Sequence, residues 1–327
     1  MKLTMLTDIG IKADMEEWND IRNVLDVVVY HDSTPDLVVQ RAKGAEILLT
    51  NKVVITAEHL QQLPDVKYII MASTGTNVVD LDYCHKHDIW CSNVPAYSTN
   101  SVAQLVFSHL LNIYTQADHY AEKNRSGAWS STTDFCYTDA PLFELANKTL
   151  GIVGLGAIGR RVAKIAMAFG MNVVALSSAK SIYDDLKIAE SCTDGSIRLA
   201  KNAEDFYANC DIISLHCPLA ENNVKMINAA SIAQMKDGVI IVNTARGGLV
   251  DEADLRAALD SGKVAAFAAD VLSVEPAKKD NPLLSHPKVF LTPHNAWLTE
   301  EAIKRLNLTI IRNIKNYLSE GKPVDIV

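Results

Sequence analysis

The stretch "TLGIVGLGAIGRRVAKIAMAFG", residues 149–170, decides the fold. It opens on a short apolar run that reads as a buried strand, then breaks at Gly154-x-Gly156-x-x-Gly159. Ile158, Val162, Ile165 and Phe169 follow at helical spacing. A strand, a glycine turn and a helix, in that order, form the context that a dinucleotide fingerprint requires. Gly154 makes the tight turn, Gly156 lets backbone approach a pyrophosphate, and Gly159 lets the helix lie close to the strand. The start of the helix adds unpaired N–H groups and partial positive charge. The loop alone also suits a ligand-free turn or a methyltransferase, so its surroundings have to decide.

Eighteen residues beyond Gly159, the next strand ends in "VVALSSAK", residues 173–180. An acidic residue there would accept from the adenosine ribose hydroxyls and repel a 2′-phosphate. Ser177 and Ser178 remove that repulsion, and Lys180 adds a cationic contact, so NADPH is expected to be accepted. The bland alternative has Lys180 facing water and NADH bound with a weaker ribose contact. The cofactor is therefore read as NADP or NAD.

From Lys148 onward, strands alternate with helices: "TLGIV", "NVVAL", "DIISLH", "GVIIVN", "VAAFAADV" and "VFLT". One helix, "DEADLRAALDSGK", has Asp251 as its cap and Gly262 as its stop. This rhythm predicts a parallel, doubly wound sheet. Before it, "KLTML", "VLDVVVY", "AEILLT" and "VKYIIMA" read as strands of a smaller βα sandwich. Residues 98–123 read as one long helix, apolar on more than one face, and residues 299–320 as another. The fold class is α/β, with two Rossmann-like domains.

With 327 residues, two domains are the default. A net charge of −8 argues against nucleic acid or an anionic membrane as partner. Residues 89–117 lack charged side chains, but Pro95, Asn93, Asn100 and Gln104 interrupt them, so a buried helix is expected there rather than a membrane span. The six cysteines form no C-x-x-C pair, as suits reduced thiols in a cytoplasmic protein. His85-x-His87 has no Cys/His cluster nearby, and no metal is expected.

Three later strand ends carry the chemistry. "VNTARGGLVDE" offers Arg246, "ADVLSVEP" offers Asp270 and Glu275, and "LTPHNAWLT" offers His294. Ligands of an open α/β sheet collect at such ends. A guanidinium, a carboxylate and an imidazole together suit the reduction of a 2-oxo acid. The arginine fork matches a carboxylate and polarises a neighbouring ketone. The imidazolium gives a proton to the ketone oxygen as hydride arrives, and Glu275 on the far ring nitrogen favours that charged form. His286 precedes its strand and lies at the wrong end. His216 in "ISLHCPL" ends a strand, where Cys217 and Pro218 are read as backbone lining the nicotinamide ribose.

These motifs resemble the D-isomer-specific 2-hydroxyacid dehydrogenases. "LGIVGLGAIGRRVA", "ISLHCPL", "VNTARGGLVDE", "ADVLSVEP" and "TPHNAW" stand in family order and at family spacing over nearly the whole chain. The resemblance implies a cofactor domain, residues 99–298, inserted in a substrate domain made of 1–98 and 299–327. It also implies a homodimer formed through the helix starting near Thr99. It makes Arg246 the substrate clamp, His294 the acid/base and Glu275 the partner of His294. Asp270 would hold the nicotinamide carboxamide, which Thr244 and Ala245 line. Ala157 and Ile158 would give backbone contacts to the pyrophosphate. In "STGTNVVD", N–H groups near Thr74 and Gly75 would receive the substrate carboxylate. The family's acidic residue is missing at Ser177. "STGTNVVDLD", "NVPAYSTNSVAQLVF" and "WSSTTDFCYTDAPLFEL" resemble the hydroxypyruvate reductase (glycerate dehydrogenase) branch, which implies hydroxypyruvate reduced to D-glycerate with glyoxylate as second substrate. The alternatives are a non-catalytic NAD(P)-sensing scaffold like the corepressors of this fold, another D-2-hydroxyacid dehydrogenase, or a formate dehydrogenase.

Overall fold

A computed structural model describes residues 1–177, 188–189 and 197–327. The chain forms two compact units, one of Met1–Ser98 with Trp297–Val327, the other of Thr99–Ala296.

The first unit holds a five-stranded sheet of β1 (Lys2–Met5), β2 (Asp26–Val29), β3 (Ile47–Thr50), β4 (Tyr68–Met71) and β5 (Trp90–Ser92), in the order β2-β1-β3-β4-β5. Every pairing is parallel. Both faces are covered, so β3 and β4 are buried throughout and read as unbroken apolar runs. Leu3, Ile47, Leu49 and Ile70 face Trp18, Ile21 and the apolar stripe Leu306, Ile310 and Ile314 of the helix Glu300–Glu320. The alternate residues Leu48, Ile69 and Met71 pack with Val38 and Leu60 on the other side. Thr299 caps that last helix, accepting from the Ala302 N–H, and Gly321 ends it at φ +74°. Asn307, fully buried on it, accepts from Trp18 Nε1 at 3.0 Å and from the Lys12 N–H at 3.1 Å.

The second unit holds β6 (Thr149–Val153), β7 (Asn172–Leu176), β8 (Ile188–Ala189), β9 (Ile197–Leu199), β10 (Ile212–Leu215), β11 (Val239–Asn243), β12 (Val264–Ala269) and β13 (Val289–Leu291). Their order is β13-β12-β11-β10-β6-β7-β9-β8, again all parallel. From β6 the chain proceeds outward to one side, then returns to β10 and proceeds to the other. The crevice beyond the carboxyl ends of β6 and β10 is therefore the switch point where an open α/β sheet takes its ligand.

Three details differ from the sequence reading. The long helix is two, Thr99–Thr115 and Ala117–Arg125, because Gln116 turns left-handed at φ +52°. Two short strands, β8 and β9, join the sheet where no strand was expected. The chain leaves the second unit after Ala296, two residues earlier than the motif boundary suggested.

Candidate active site

At the switch point the glycine turn has the shape a phosphate cradle needs. Gly154 adopts φ +94°, and a Cβ there would lie 3.0 Å from the Cys217 N and the His216 carbonyl oxygen. This close approach brings the backbone of His216 and Cys217 against the turn. A Cβ on Gly159 would lie 2.1 Å from the Gly154 oxygen, so only glycine lets the helix Ala157–Ala168 start so close to the strand. A Cβ on Gly156 would meet nothing within 4 Å. Gly156 is the N-cap and has no side chain to cap the helix, and Ala157 beside it is exposed. The first N–H groups, with half-buried Ile158 and buried Gly159 behind them, are thus left without a side-chain cap where the field of the helix is positive. The Gly154 N–H donates to the Leu176 oxygen at 2.9 Å, which seats half-buried Ser177 beside the turn. Ser178 and Lys180 lie outside the described residues. Thr244, past β11, has a buried hydroxyl with no hydrogen-bond partner. An uncapped helix start, an open glycine and an unmatched hydroxyl fit a bound dinucleotide.

His294 and Glu275 lie in the segments past β12 and β13, and Arg246 lies past β11. His294 Nδ1 and Glu275 Oε2 lie 2.6 Å apart. The other carboxylate oxygen, Oε1, accepts from the Leu272 N–H at 3.0 Å, which fixes the carboxylate from behind. The hydrogen bond to Glu275, reinforced by its charge and that of Asp270, raises the His294 pKa above its ordinary value against burial and the Arg246 cation. Burial pushes the Glu275 carboxyl up, but the hydrogen bond and charge of His294, the Leu272 N–H and the Arg246 cation leave it below its usual value. Arg246 therefore acts through its charge on both members of the pair. The pair is ionised between the lowered carboxyl and the raised imidazole value. His294 stands at φ +51°, a conformation side chains other than glycine seldom adopt and one that concentrates at functional sites.

Asp270 is 2% exposed. It accepts from the Thr292 hydroxyl at 2.6 Å, from the Asn295 N–H at 3.0 Å and from the Ala296 N–H at 2.9 Å. In this structure it holds the loop that carries His294.

Several positioning residues escaped the sequence reading. Asn243, fully buried at the end of β11, accepts from the Ala245 N–H at 3.0 Å and donates to the Arg246 carbonyl at 2.9 Å. A polar residue closing an apolar strand was the available signal. Arg246 Nη1 donates to the Ala245 carbonyl at 2.7 Å. A Cβ on Gly247 would lie 1.9 Å from the Leu272 carbonyl carbon. The bare glycine lets the arginine loop lie against the loop that leads to Glu275, a nonlocal contact that no local pattern signals.

Other candidates make contacts of their own. His216 Nε2 meets Ser214 Oγ at 2.8 Å, and burial pushes its pKa down to about 3, so it stays neutral. His286 is buried with Nε2 3.3 Å from Asp260. His85 Nε2 lies 3.1 Å from the Val327 oxygen, and His87 stacks on Tyr83. In the first unit, the Thr74 hydroxyl donates to the Val94 oxygen at 3.0 Å and the Gly75 oxygen accepts from Ser73 Oγ at 2.7 Å. Among the described residues no helix is long and apolar enough to cross a membrane.

The family model for the NAD-binding domain of D-isomer specific 2-hydroxyacid dehydrogenases matches residues 107–296. The chain is 36% identical to the hydroxypyruvate reductase of Blautia hydrogenotrophica, over 100% of this chain and 99% of that one. It is 38% identical to the glycerate dehydrogenase of Methylorubrum extorquens, over 90% of this chain and 89% of the other. A solved acyclic imino acid reductase in complex with NADPH and D-Arg superposes with a TM-score of 0.87 at 28% identity, covering 100% of both chains.

Proposed function

The chain belongs to the D-isomer specific 2-hydroxyacid dehydrogenases, nicotinamide-dependent oxidoreductases, and within that family we propose that it reduces hydroxypyruvate to D-glycerate, with glyoxylate as a second substrate. The observation that carries the reaction type is the 2.6 Å pair of His294 and Glu275 under the field of Arg246. The similarity to a hydroxypyruvate reductase and a glycerate dehydrogenase supports the substrate.

A reduced nicotinamide, when bound, would supply the hydride for C2 of the 2-oxo acid. Arg246 holds the substrate carboxylate with its fork and draws electron density toward the keto oxygen. His294, kept protonated by Glu275, hands its proton to that oxygen as negative charge grows there. General acid catalysis of this kind contributes ~10²–10⁴-fold. In the reverse direction neutral His294 takes the hydroxyl proton, and Glu275 stabilises the cation that forms. Thr74 and Gly75 are proposed N–H donors to the substrate carboxylate, and Asp270 a proposed contact for the carboxamide. Ala157 and Ile158 are proposed for the pyrophosphate, Cys217, Pro218, Thr244 and Ala245 for the nicotinamide side.

NADPH is proposed as an accepted cofactor, since Ser177 beside the turn brings no negative charge. A homodimer through the helix Thr99–Thr115 is also proposed. Its support is exposed Leu111 on that helix and exposed Trp129, Phe135, Leu142 and Phe143 soon after it. The five described cysteines are free thiols, which supports work in the cytoplasm.

A panel of 2-oxo acids assayed with both reduced nicotinamides tests the reading. Hydroxypyruvate should give the highest kcat/KM, ahead of glyoxylate and of pyruvate. A preference for an alkyl 2-oxo acid overturns the substrate, and a preference for NADH of about tenfold or more overturns the cofactor proposal.

A further inference from the structure

His294 sits in the loop Thr292–Ala296, which no helix or strand supports from within. Its backbone is held in the left-handed region, at φ +51°. Such a conformation persists only where surrounding contacts over-determine it. Several of the contacts that hold the loop converge on one carboxylate. The Thr292 N–H donates to the Ala269 oxygen at 2.9 Å, which continues the sheet ladder. The Thr292 oxygen accepts from the His294 N–H at 3.0 Å. The Thr292 hydroxyl donates to Asp270 Oδ1 at 2.6 Å, the Asn295 N–H to the same oxygen at 3.0 Å and the Ala296 N–H to Oδ2 at 2.9 Å. The carbonyl of Ala296 accepts from Ser101 Oγ, tying the loop's end to the helix Thr99–Thr115.

We infer that Thr292 is a positioning residue for proton transfer, its hydroxyl fixing the His294 loop on Asp270 so that the imidazole stays against Glu275. Of the three donors to Asp270, it is the one that belongs to a side chain. A carboxylate buried to 2% exposure needs every donor it has. It has about four acceptor sites, so three are taken and one remains for a further contact. Without the hydroxyl the carboxylate must recruit another donor, and the loop loses its anchor two residues before His294. The inference rests on His294 as the acid/base proposed above.

Thr292→Val keeps the branched shape and removes the donor, whereas Thr292→Ser keeps the donor. Among the charged groups that act on His294 are Glu275, Asp270 and Arg246. With the loop loosened, the Glu275 contact weakens first. In Thr292→Val, kcat for hydroxypyruvate should fall by about tenfold or more with KM within about threefold. The His294 ring titration, followed by NMR, should move down toward about 6.5. Thr292→Ser should match the unaltered protein in all three readouts. Should Thr292→Val not fold, Thr292→Ala removes the same donor and takes its place. An unchanged His294 midpoint and kcat in the donor-less variant overturns the inference. So does a Thr292→Ser variant as impaired as Thr292→Val, which would put the effect on packing of the methyl group. If the unaltered protein reduces no 2-oxo acid but its His294 midpoint still depends on Thr292, the proposed function fails and the positioning stands. Turnover with a midpoint indifferent to Thr292 separates the two the other way.

Discussion

Gly247→Ala is a one-methyl change whose effect can be worked out from contacts. The new Cβ would lie 1.9 Å from the Leu272 carbonyl carbon, 2.0 Å from its oxygen and 2.3 Å from the Ser273 nitrogen. Carbon atoms rest at about 3.5 Å or more, so the two loops must part by about 1.5 Å. The obstacle is backbone, so no side-chain rotation relieves it. One loop carries Arg246, and the other carries the Leu272 N–H that steadies Glu275. Misplacement of about 1 Å in a catalytic set costs on the order of 10²-fold, so kcat/KM for 2-oxo acid reduction should fall by about that factor. Overpacking costs roughly 1–3 kcal/mol, which a domain stable by about 5–15 kcal/mol survives. Gly248→Ala is the control: its Cβ would lie 2.8 Å from Leu219 Cδ2, the end of a flexible side chain that is 43% exposed. The assay is steady-state oxidation of the reduced nicotinamide, with circular dichroism to confirm folding. A folded Gly247→Ala enzyme within about threefold of the unaltered one refutes the reasoning.

Arg246→Lys replaces a two-pronged donor by a point charge, so KM should rise and kcat fall, with kcat/KM down by about tenfold to a hundredfold for a lost charge-assisted hydrogen bond. Near-normal kinetics would remove Arg246 from the clamp. Ser177→Asp restores a carboxylate beside the glycine turn, where it should repel a 2′-phosphate and lower kcat/KM with NADPH relative to NADH by about tenfold or more. An unchanged cofactor ratio would mean that Ser177 does not face the ribose.

The glycine turn, the parallel strands around it and the three strand ends were legible because each rests on a local pattern. Strand residues such as Val239–Asn243 are apolar runs fixed by burial on both faces, and the glycines announce a backbone requirement. The cap at Asp251 was readable for the same reason. What escaped depends on contacts distant in sequence. Gln116 breaks the long helix without glycine or proline to mark it. The short strand Ile197–Leu199 is too brief to carry a period. The hold of Asp270 on the His294 loop runs through two backbone N–H groups and Thr292, and backbone donors have no sequence signature. The close approach behind Gly247 is likewise visible only when both loops are in place.

The proposed mechanism depends on Glu275 keeping His294 charged, and the pH dependence of hydroxypyruvate reduction by Glu275→Gln is the sharpest check of that pairing. Reduction needs the protonated imidazole, so kcat/KM falls as pH rises through the His294 pKa, which Glu275 holds above its ordinary value. The neutral amide cannot favour the cation as the carboxylate does. The alkaline limb of the variant should therefore shift to lower pH, toward about 6.5, with a lower plateau below it. An alkaline limb at the same pH in both enzymes would contradict the pairing on which the proposed mechanism depends.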